Sequence, residues 1–203
     1  MSDSKSSYLP PDNPPSPGIV VVGRFQPLHL GHVNLIKKAN DLRNSEFPNL
    51  SLIIAIGSAN KEQSIHDPWS AEERLEMIRN WFEESLVSAD VTTIPDIDDP
   101  PNWVSHAEKY HGKSGILVTS DEKLAELYAK SKWKVNKVAL SNRESLQGWR
   151  VRATIQMIST VDDEHAIRSI LASSIPDSVI DYLISNDSIR RLATLGGGGE
   201  PVG

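Results

Sequence analysis

Short apolar runs alternate with helical patterns along the chain. The runs GIVVVG (18–23) and LSLIIAIGS (50–58) show no period of two, which is typical of strands that are buried on both faces of a parallel sheet. Residues 89–97, 115–120 and 133–140 are further candidate strands. Strands that alternate with helices predict an α/β fold with a doubly wound parallel sheet.

Helical periodicity follows the first two apolar runs. Residues 32–44 form one predicted helix, and residues 70–85 form another that begins with Ser70 and Glu73 at capping-box spacing. The predicted buried faces are Ile36, Ala39 and Leu42 in the first helix and Leu75, Ile78 and Phe82 in the second. Further helices are predicted near 102–110, near 121–130 and through the closing third, 149–192, with Pro176 in a first turn.

The two ends of the chain lack this pattern. Residues 1–17 are rich in Ser, Pro and Asp, a composition that cannot pack a core and predicts a disordered leader. Residues 193–203 include GGGGEPVG and read as a flexible tail. We therefore expect one domain over residues 18–192.

Composition narrows the classes of protein. The 203 residues include no cysteine, which excludes disulfides and thiolate metal sites. A net charge of -6 argues against nucleic acid as a partner. No apolar run approaches the roughly 20 residues that span a membrane, so we expect no membrane partner and a cytoplasmic location.

Polar or glycine residues end several of the predicted strands. Gly23, Gly57–Ser58 and Ser120 all fall at the carboxyl ends, where ligands bind in doubly wound sheets. The order of the elements thus predicts a ligand site at this edge.

Two histidines follow the first strand. His29 and His32 are three residues apart, after Arg24 and where a helix is expected to begin. Two imidazoles, a guanidinium and the amides of a helix N-terminus suit phosphate oxygens that gain charge in a transition state. The alternatives are surface or core histidines, or a metal site, for which two histidines without a nearby carboxylate or thiolate are a thin ligand set.

The stretch GRFQPLHLGH (23–32) resembles the HxGH motif of nucleotidyltransferases. Its GRFQP part is similar to the archaeal type of nicotinamide mononucleotide (NMN) adenylyltransferase, more than to the pantetheine-phosphate or glycerol-phosphate branches. Other segments resemble this family in the same order, namely 56–74, 94–104, 118–128 and 142–152. The resemblance implies a Rossmann-like nucleotidyltransferase fold with C-terminal helices.

The resemblance also implies an activity. Members of the family transfer AMP from ATP to NMN, which gives NAD and pyrophosphate by in-line displacement without a covalent enzyme intermediate. We therefore expect ATP and NMN as substrates, Mg²⁺ that arrives with ATP, and no metal ligands from the protein. The family further implies a homo-oligomer.

Roles follow by position in the matching motifs. The implied catalytic residues are His29, His32, Arg24 and Arg152. The implied ATP-binding residues are Gly23, Arg24, Phe25, His29, Gly31, His32, Thr119, Ser120, Asp121, Gly148, Val151 and Arg152. The implied NMN-binding residues are Gln26, Gly57, Ser58, His66, Asp96, Ile97 and Trp103, the last as the aromatic that stacks on nicotinamide.

Several of these residues have a structural alternative. Arg24 is otherwise a surface ion-pair residue, Trp103 a core residue at a helix start, and Asp96 a turn residue. Asp121 is otherwise a helix cap, and His66 an exposed loop residue.

Two motifs depart from the family pattern, at three positions. Gln147 and Trp149 stand where the family usually has small hydroxyl residues that cradle the β- and γ-phosphates, although Arg150 adds a cation. His66 stands where an arginine is common, which would make a phosphate contact depend on pH.

Three rival functions stay open from the sequence. The first is a related transferase with another acceptor, such as a flavin or other phosphate ester. The second is a non-catalytic nucleotide-binding sensor, which the departures at Gln147 and Trp149 favour. The third is an interaction protein that reuses the fold.

Overall fold

The computed structural model describes residues 8–140 and 146–196. Five parallel strands form one sheet in the order β3-β2-β1-β4-β5. They are β1 (Ile19–Gly23), β2 (Leu52–Ile56), β3 (Asp90–Thr93), β4 (Ile116–Thr119) and β5 (Lys134–Lys137). The strand order reverses at β1, as in other doubly wound sheets, so the predicted fold class is confirmed.

The central strands β1, β2 and β4 are the apolar ones. β2 and β4 are buried along their whole length, as expected where both faces of a parallel sheet are covered. The edge strands β3 and β5 are polar and partly exposed. Both are shorter than the sequence pattern predicted, and β3 ends at Thr93, before Pro95, which cannot donate to a strand ladder.

Within the described residues, four helices connect successive strands and four more follow β5. They are α1 (Leu30–Glu46), α2 (Ala71–Glu84), α3 (Trp103–His111), α4 (Glu122–Lys130), α5 (Gly148–Met157), α6 (Glu164–Leu171), α7 (Asp177–Ser185) and α8 (Arg191–Gly196). A 3₁₀ turn, Pro100–Asn102, precedes α3. The helical closing third agrees with the sequence prediction, except that Pro176 precedes the first turn of α7 as its N-cap.

The described residues divide into two compact units. The sheet unit contains residues 8–24, 32–61 and 87–140. The helical unit contains residues 25–31, 62–86 and 146–196. The units interleave along the chain, so the HxGH segment contributes to both.

One hydrophobic cluster of the sheet unit is formed by strands together with the helices α3 and α4. The helices contact strands β2 to β5. Its buried members include Val20, Ile53 and Leu117 from the sheet and Tyr110 and Tyr128 from the helices.

Helix α2 begins with the predicted capping box. The Ser70 hydroxyl accepts from the Glu73 amide at 3.3 Å, and the Glu73 carboxylate accepts from the Ser70 amide at 2.8 Å. Within the helical unit the same carboxylate pairs with Arg191 of α8 at 2.7 Å. Glu73 therefore stabilises the start of one helix and anchors another.

The predicted buried face of α2 was partly wrong. Ile78 is buried, but Leu75 and Phe82 are only half-buried. The fully buried positions are instead Ala71, Arg74, Met77, Ile78 and Trp81. The pattern misled because a charged residue, Arg74, occupies the buried face, where its Nε donates to the Ser70 carbonyl at 3.0 Å. In α1, Ile36 and Ala39 are buried as predicted, and Leu42 is half-buried.

The predicted terminal segments are described only in part. Residues 8–17 form neither helix nor strand, and they contact the sheet unit, where the Tyr110 hydroxyl donates to the Tyr8 carbonyl at 2.8 Å. In the predicted tail, residues 193–196 belong to α8. Residues 1–7 and 197–203 lie outside the described residues, so the domain limits stay a prediction.

Among the described residues, none of the helices combines the length and apolar character that crossing a lipid bilayer requires.

Candidate active site

A cavity of about 350 Å³ opens in the sheet unit at the carboxyl ends of the strands. Four places in the fold line it, namely the end of β1 with the residue after it, the segment after β2, the start of α3 and the first turns of α4. Its lining residues are Val22, Gly23, Arg24, Gly57, Ser58, Trp103, Asp121, Leu124 and Leu127. The structure thus brings six of the predicted site residues together at the predicted edge of the sheet.

The backbone at the ends of β1 and β2 shapes the floor of this cavity. The Gly57 amide donates to the Gly23 carbonyl at 2.9 Å, so the two strand ends are tied together. Ser58 has a φ of 52°, a left-handed conformation that costs free energy in a residue with a side chain and is often found at functional sites.

Trp103 forms one wall of the cavity. It is half-buried and packs edge-on against Tyr128, with ring centroids 6.2 Å apart. Leu124 and Leu127, which sequence reasoning missed, add apolar surface from α4. A flat ligand that enters this cavity therefore meets an indole and two leucine side chains.

Asp121 is both a helix cap and a cavity residue. Its carboxylate accepts from the Leu124 amide at 2.8 Å at the start of α4. Its own amide donates to the Thr119 hydroxyl at 3.0 Å. Asp121 therefore has the capping role that was its structural alternative, and it also lines the cavity. Thr119 is buried, and Ser120 is half-buried beside it.

Asp96 acts as a turn residue, which was the structural alternative to its predicted role in binding NMN. Its carboxylate accepts from the Asp98 amide at 3.1 Å and lies 3.5 Å from the Ser58 hydroxyl. Lys61 lies 3.8 Å from the same carboxylate. Asp96 is thus held next to Ser58, and Ile97 beside it is exposed.

His29 lies in the helical unit and is 5% exposed. Its Nδ1 accepts a hydrogen bond from the Gly31 amide at 3.1 Å. Because Nδ1 is the acceptor, the proton of the neutral ring is on Nε2. Burial, and then the positive charge of Arg152, lower the pKa of His29 to about 4. At neutral pH His29 is therefore an uncharged donor whose tautomer is fixed by the HxGH backbone.

The donor end of His29 faces the start of α5. A Cβ added at Gly148 would lie 3.7 Å from His29 Nε2 and 3.3 Å from Arg152 Nη1. Gly148, the first residue of α5, thus lies beside two donors, and a Cβ there would crowd the Arg152 nitrogen. The N-terminus of a helix adds positive potential there, so the arrangement favours an anion.

Gly31 is fixed by its neighbours. A Cβ at this position would lie 3.0 Å from the His29 ring and 3.3 Å from Leu146, which is tighter than ordinary packing. The glycine of HxGH therefore permits the close approach of the imidazole to its own backbone.

Gln26 has a structural partner at each end of its side chain. Its Nε2 donates to the Trp69 carbonyl at 2.7 Å, and its Oε1 accepts from the Trp69 amide at 3.1 Å. Its own carbonyl accepts from Arg152 at 3.0 Å. Gln26 is 3% exposed, so in this conformation it anchors the segment before α2 and does not offer its amide to a ligand.

Gln147 and Trp149, which depart from the family pattern, contact each other. The Gln147 Oε1 accepts the indole N–H of Trp149 at 2.7 Å, and the Arg150 guanidinium lies 4.8 Å from the Trp149 ring centroid. Trp149 is 57% exposed. The Gln147 side chain therefore does not cap the first amides of α5. The preceding residues of this motif, 142–145, lie outside the described residues.

The other predicted residues fall into two groups. Phe25 and Val151 are buried core side chains, so any contact of theirs with a nucleotide would come from the backbone. His32, in the first turn of α1, is half-buried, and His66 is exposed in a turn between Ser64 and Asp67.

Two features were not predicted from the sequence. The first is Arg74, which is 1% exposed. The only indication of it in the sequence was its place at the end of segment 56–74, which resembles the family. A buried pair, His111 and Tyr128, is joined at 2.8 Å behind Trp103. No local pattern marks that pair, because its members lie on different helices.

The side-chain chemistry does not favour a protein metal centre. Within residues 8–140 and 146–196, no group of three or more His, Asp or Glu side chains has the spacing to hold a metal ion. The donors around Gly148 are an imidazole, a guanidinium and amides, which suit phosphate oxygens and not a cation.

Comparison with known proteins identifies the class. The fold and the HxGH segment together define a Rossmann-like nucleotidyltransferase, and residues 20–169 match the model of the cytidylyltransferase-like family. The chain belongs to that family.

Individual relatives are more specific. Nicotinamide-nucleotide adenylyltransferase of Thermoplasma acidophilum is 30% identical over 86% of this chain and 89% of its own length. The enzyme of the same name from Methanococcus vannielii is 29% identical over 86% of this chain and 92% of its own. The predicted resemblance to the archaeal enzymes and the predicted nucleotidyltransferase class are confirmed.

Solved structures support the fold. A bifunctional NMN adenylyltransferase/ADP ribose pyrophosphatase from Francisella tularensis aligns with a TM-score of 0.62, at 20% identity over 87% of this chain. The chain spans about half the length of that protein, 52%. A second structure of the Francisella protein, in complex with AMP and a manganese ion, has a TM-score of 0.54 at 20% identity and covers 91% of this chain and 57% of that one.

Proposed function

We propose that the chain is a nicotinamide-nucleotide adenylyltransferase. It transfers AMP from ATP to the 5′-phosphate of NMN and releases NAD and pyrophosphate. The names of the archaeal relatives support this activity, and the two partial sites supply the chemistry that it needs.

The observation that carries the proposal is the state of His29. Its ring is neutral at pH 7, its Nδ1 is held by the Gly31 amide, and its Nε2–H faces the start of α5 beside Arg152. A donor that is fixed before substrate arrives stabilises developing phosphate charge without reorganisation. We assign His29, Arg152 and the first amides of α5 to the phosphates of ATP.

The cavity of the sheet unit suits a flat base and its ribose. Trp103 offers an indole face to a pyridinium ring, which adds cation–π attraction to dispersion. We assign Trp103, Ser58, Gly57, Asp96 and Ile97 to NMN. Arg24 and Asp121 line the same cavity, and we assign Arg24 to phosphate and Asp121, with Thr119 and Ser120, to adenosine.

Three further predicted site residues complete the assignment. His32 remains the second imidazole for phosphate. His66 is exposed, and we assign it to the phosphate of NMN. Gln26 acts through its anchoring of the segment before α2, so its role is positioning.

Magnesium enters as part of the MgATP substrate. The protein residues near Gly148 offer donors and not oxygen ligands, so phosphate oxygens and water hold the ion. When bound, the ion would supply neutralisation of phosphate charge, and His29 and Arg152 would orient the phosphate oxygens. The manganese-containing Francisella complex is in keeping with a divalent ion in this fold.

The proposal includes the setting of the reaction. We expect a cytoplasmic enzyme with no nucleic-acid or membrane partner, which the net charge of -6 supports. We also expect a homo-oligomer, which light scattering after size-exclusion chromatography would test.

One assay tests the activity. Purified full-length protein is incubated with ATP, MgCl₂ and NMN, and dinucleotide and pyrophosphate are measured by chromatography. Parallel reactions use nicotinic acid mononucleotide and flavin mononucleotide as acceptors. NAD formation supports the proposal. If another acceptor forms an adduct and NMN forms no NAD, the protein is a transferase with a different acceptor and the proposal is wrong. If calorimetry shows nucleotide binding but no pyrophosphate is released, the protein is a nucleotide-binding sensor and the proposed activity is wrong.

A further inference from the structure

The segment 8–17 contacts the end of α3 at two places. The Tyr110 hydroxyl donates to the Tyr8 carbonyl at 2.8 Å. At Gly112, which follows α3, a Cβ would lie 2.4 Å from the Pro15 carbonyl oxygen and 2.9 Å from that of Ser16. The segment therefore passes directly against the backbone of Gly112, with no room for any larger residue.

The backbone conformation of Gly112 and its hydrogen bond to the neighbouring residue constrain it further. Its φ is 84°, a left-handed conformation that glycine adopts without strain. Its carbonyl accepts from the His111 ring Nδ1 at 2.9 Å. The residue on which the segment 8–17 lies is thus also the partner of a buried histidine.

From His111 the contacts continue to the cavity. Because His111 Nδ1 donates to Gly112, its Nε2 accepts the hydroxyl proton of Tyr128 at 2.8 Å. Tyr128 is fully buried, and its ring packs edge-on against Trp103. Trp133 packs on both His111 and Tyr128, with ring centroids 5.1 Å away from each.

Helix α3 provides a second connection between the same points. Trp103 is its first residue and His111 its last, so at 1.5 Å per residue they are about 12 Å apart along one rigid element. Val104 and Ala107 bury the face between them. Tyr128 touches both ends, since it contacts Trp103 and His111.

We propose that residues 8–17 are a brace that fixes α3 and, through the His111–Tyr128 pair, sets the orientation of Trp103 in the cavity. The segment lies outside the family match, which begins at residue 20. It acts as a positioning element for the ring that stacks on Trp103, and naming that ring nicotinamide rests on the proposed function.

The test uses two full-length variants. Tyr110→Phe removes the hydrogen bond to Tyr8 and keeps the ring. Gly112→Ala forces the segment away from α3. The controls are Lys113→Ala, an exposed neighbour, and Tyr182→Phe, which removes a tyrosine hydroxyl in the helical unit.

The kinetic expectation is specific to one substrate. Packed networks of this kind change coupling to a site by roughly 2- to 30-fold, so we expect the KM for NMN to rise about 3-fold in Tyr110→Phe and about 10-fold in Gly112→Ala. The kcat and the KM for ATP should stay within about 2-fold of the parent. Both controls should resemble the parent. An equal loss in all kinetic parameters would mean general destabilisation and would overturn the brace.

A second readout needs no substrate. The indole ¹⁵N–¹H resonance of Trp103 is assigned by its disappearance in Trp103→Phe, and it should shift in both brace variants but not in the controls. If NAD formation fails in the parent, the proposed function is wrong, and this resonance alone decides the brace. An unmoved Trp103 resonance in a folded Gly112→Ala overturns it. If that variant does not fold, Tyr110→Phe decides.

Discussion

The two partial sites of this protein are built in opposite ways. The cavity of the sheet unit is lined by residues that end strands, directly follow them or begin helices, such as Gly23, Gly57 and Trp103. The cluster of the helical unit joins His29 to Gly148 and Arg152, more than a hundred residues away. The first arises from the order of the elements, and the second from long-range packing.

This difference has chemical consequences. The sheet-unit cavity is open and presents an indole with two leucines, so it suits recognition of a flat ring. The helical-unit cluster presents fixed donors, of which His29 is buried and Arg152 half-buried, so it suits charge stabilisation. Substitutions in the two places should therefore separate binding from turnover.

The largest effect is expected from the buried donor. His29→Ala removes a preorganised hydrogen bond to phosphate and should lower kcat about 100- to 1000-fold. The KM for NMN should change little. His32→Ala should also lower kcat strongly, with thermal stability nearly unchanged because that side chain is half-buried. Steady-state kinetics and thermal melts check both.

The exposed His165 is the matched control for these variants. His165→Ala should leave kcat unchanged. If His29→Ala raised the KM for NMN and spared kcat, the division of labour between the two sites would be wrong.

The second effect is a pH dependence of stability. The pKa of His29 is about 4 in the folded chain and about 6.5 in the unfolded chain. Between these values the unfolded chain binds the extra proton, so the free energy of unfolding falls as pH decreases from 6.5 to 4. The full loss is about 3 kcal/mol, and it is absent above pH 7.

Denaturant titrations between pH 4.5 and 8 would measure this loss. In His29→Asn the part of the pH slope that belongs to His29 should vanish, while that of other groups, including the buried His111, persists. Identical slopes in parent and variant would mean that His29 is not held neutral.

The third effect concerns the sheet-unit cavity. Trp103→Ala should raise the KM for NMN about 10- to 30-fold, which corresponds to about 1–2 kcal/mol of stacking. The kcat should fall much less. Trp103→Phe keeps a flat ring and should recover most of the affinity. Calorimetric titration with NMN would check both variants, and unchanged affinity in Trp103→Ala would make the tryptophan a packing residue.

The smallest effect compares two helix caps, one in each unit. Asp121 caps α4 and Asp163 caps α6 through backbone amides. Replacing either by Ala should cost about 1 kcal/mol, or about 3 °C in Tm. Only Asp121→Ala should also raise the KM for ATP, while Asp121→Asn should retain the cap. Equal kinetics in Asp121→Ala and Asp163→Ala would remove Asp121 from the adenosine site.

Much of the sheet-unit cavity could be predicted from the sequence. Apolar runs mark the strands, and the residues after them must meet at one edge of a parallel sheet. The positions of Gly23, Gly57 and Ser58 at the ends of such runs therefore suffice to place them at that edge. Trp103 could likewise be placed at the start of α3.

The rest depended on contacts that no local pattern records. Gln26 was assigned to NMN, yet its amide binds the Trp69 backbone. Arg74 was overlooked because a charged residue breaks the apolar periodicity of α2. The neutral state of His29 follows from burial and from Arg152, which only the folded chain brings close.

The two roles of Glu73 have a practical consequence for handling this protein. One carboxylate holds both the Ser70 amide and the Arg191 guanidinium, and Arg191 also donates to the Pro68 carbonyl at 3.1 Å. A shortened expression clone that stopped before residue 191 would leave that acid without its cation and loosen the loop entering α2. Affinity tags are therefore better appended after the last residue than spliced in place of the final helix.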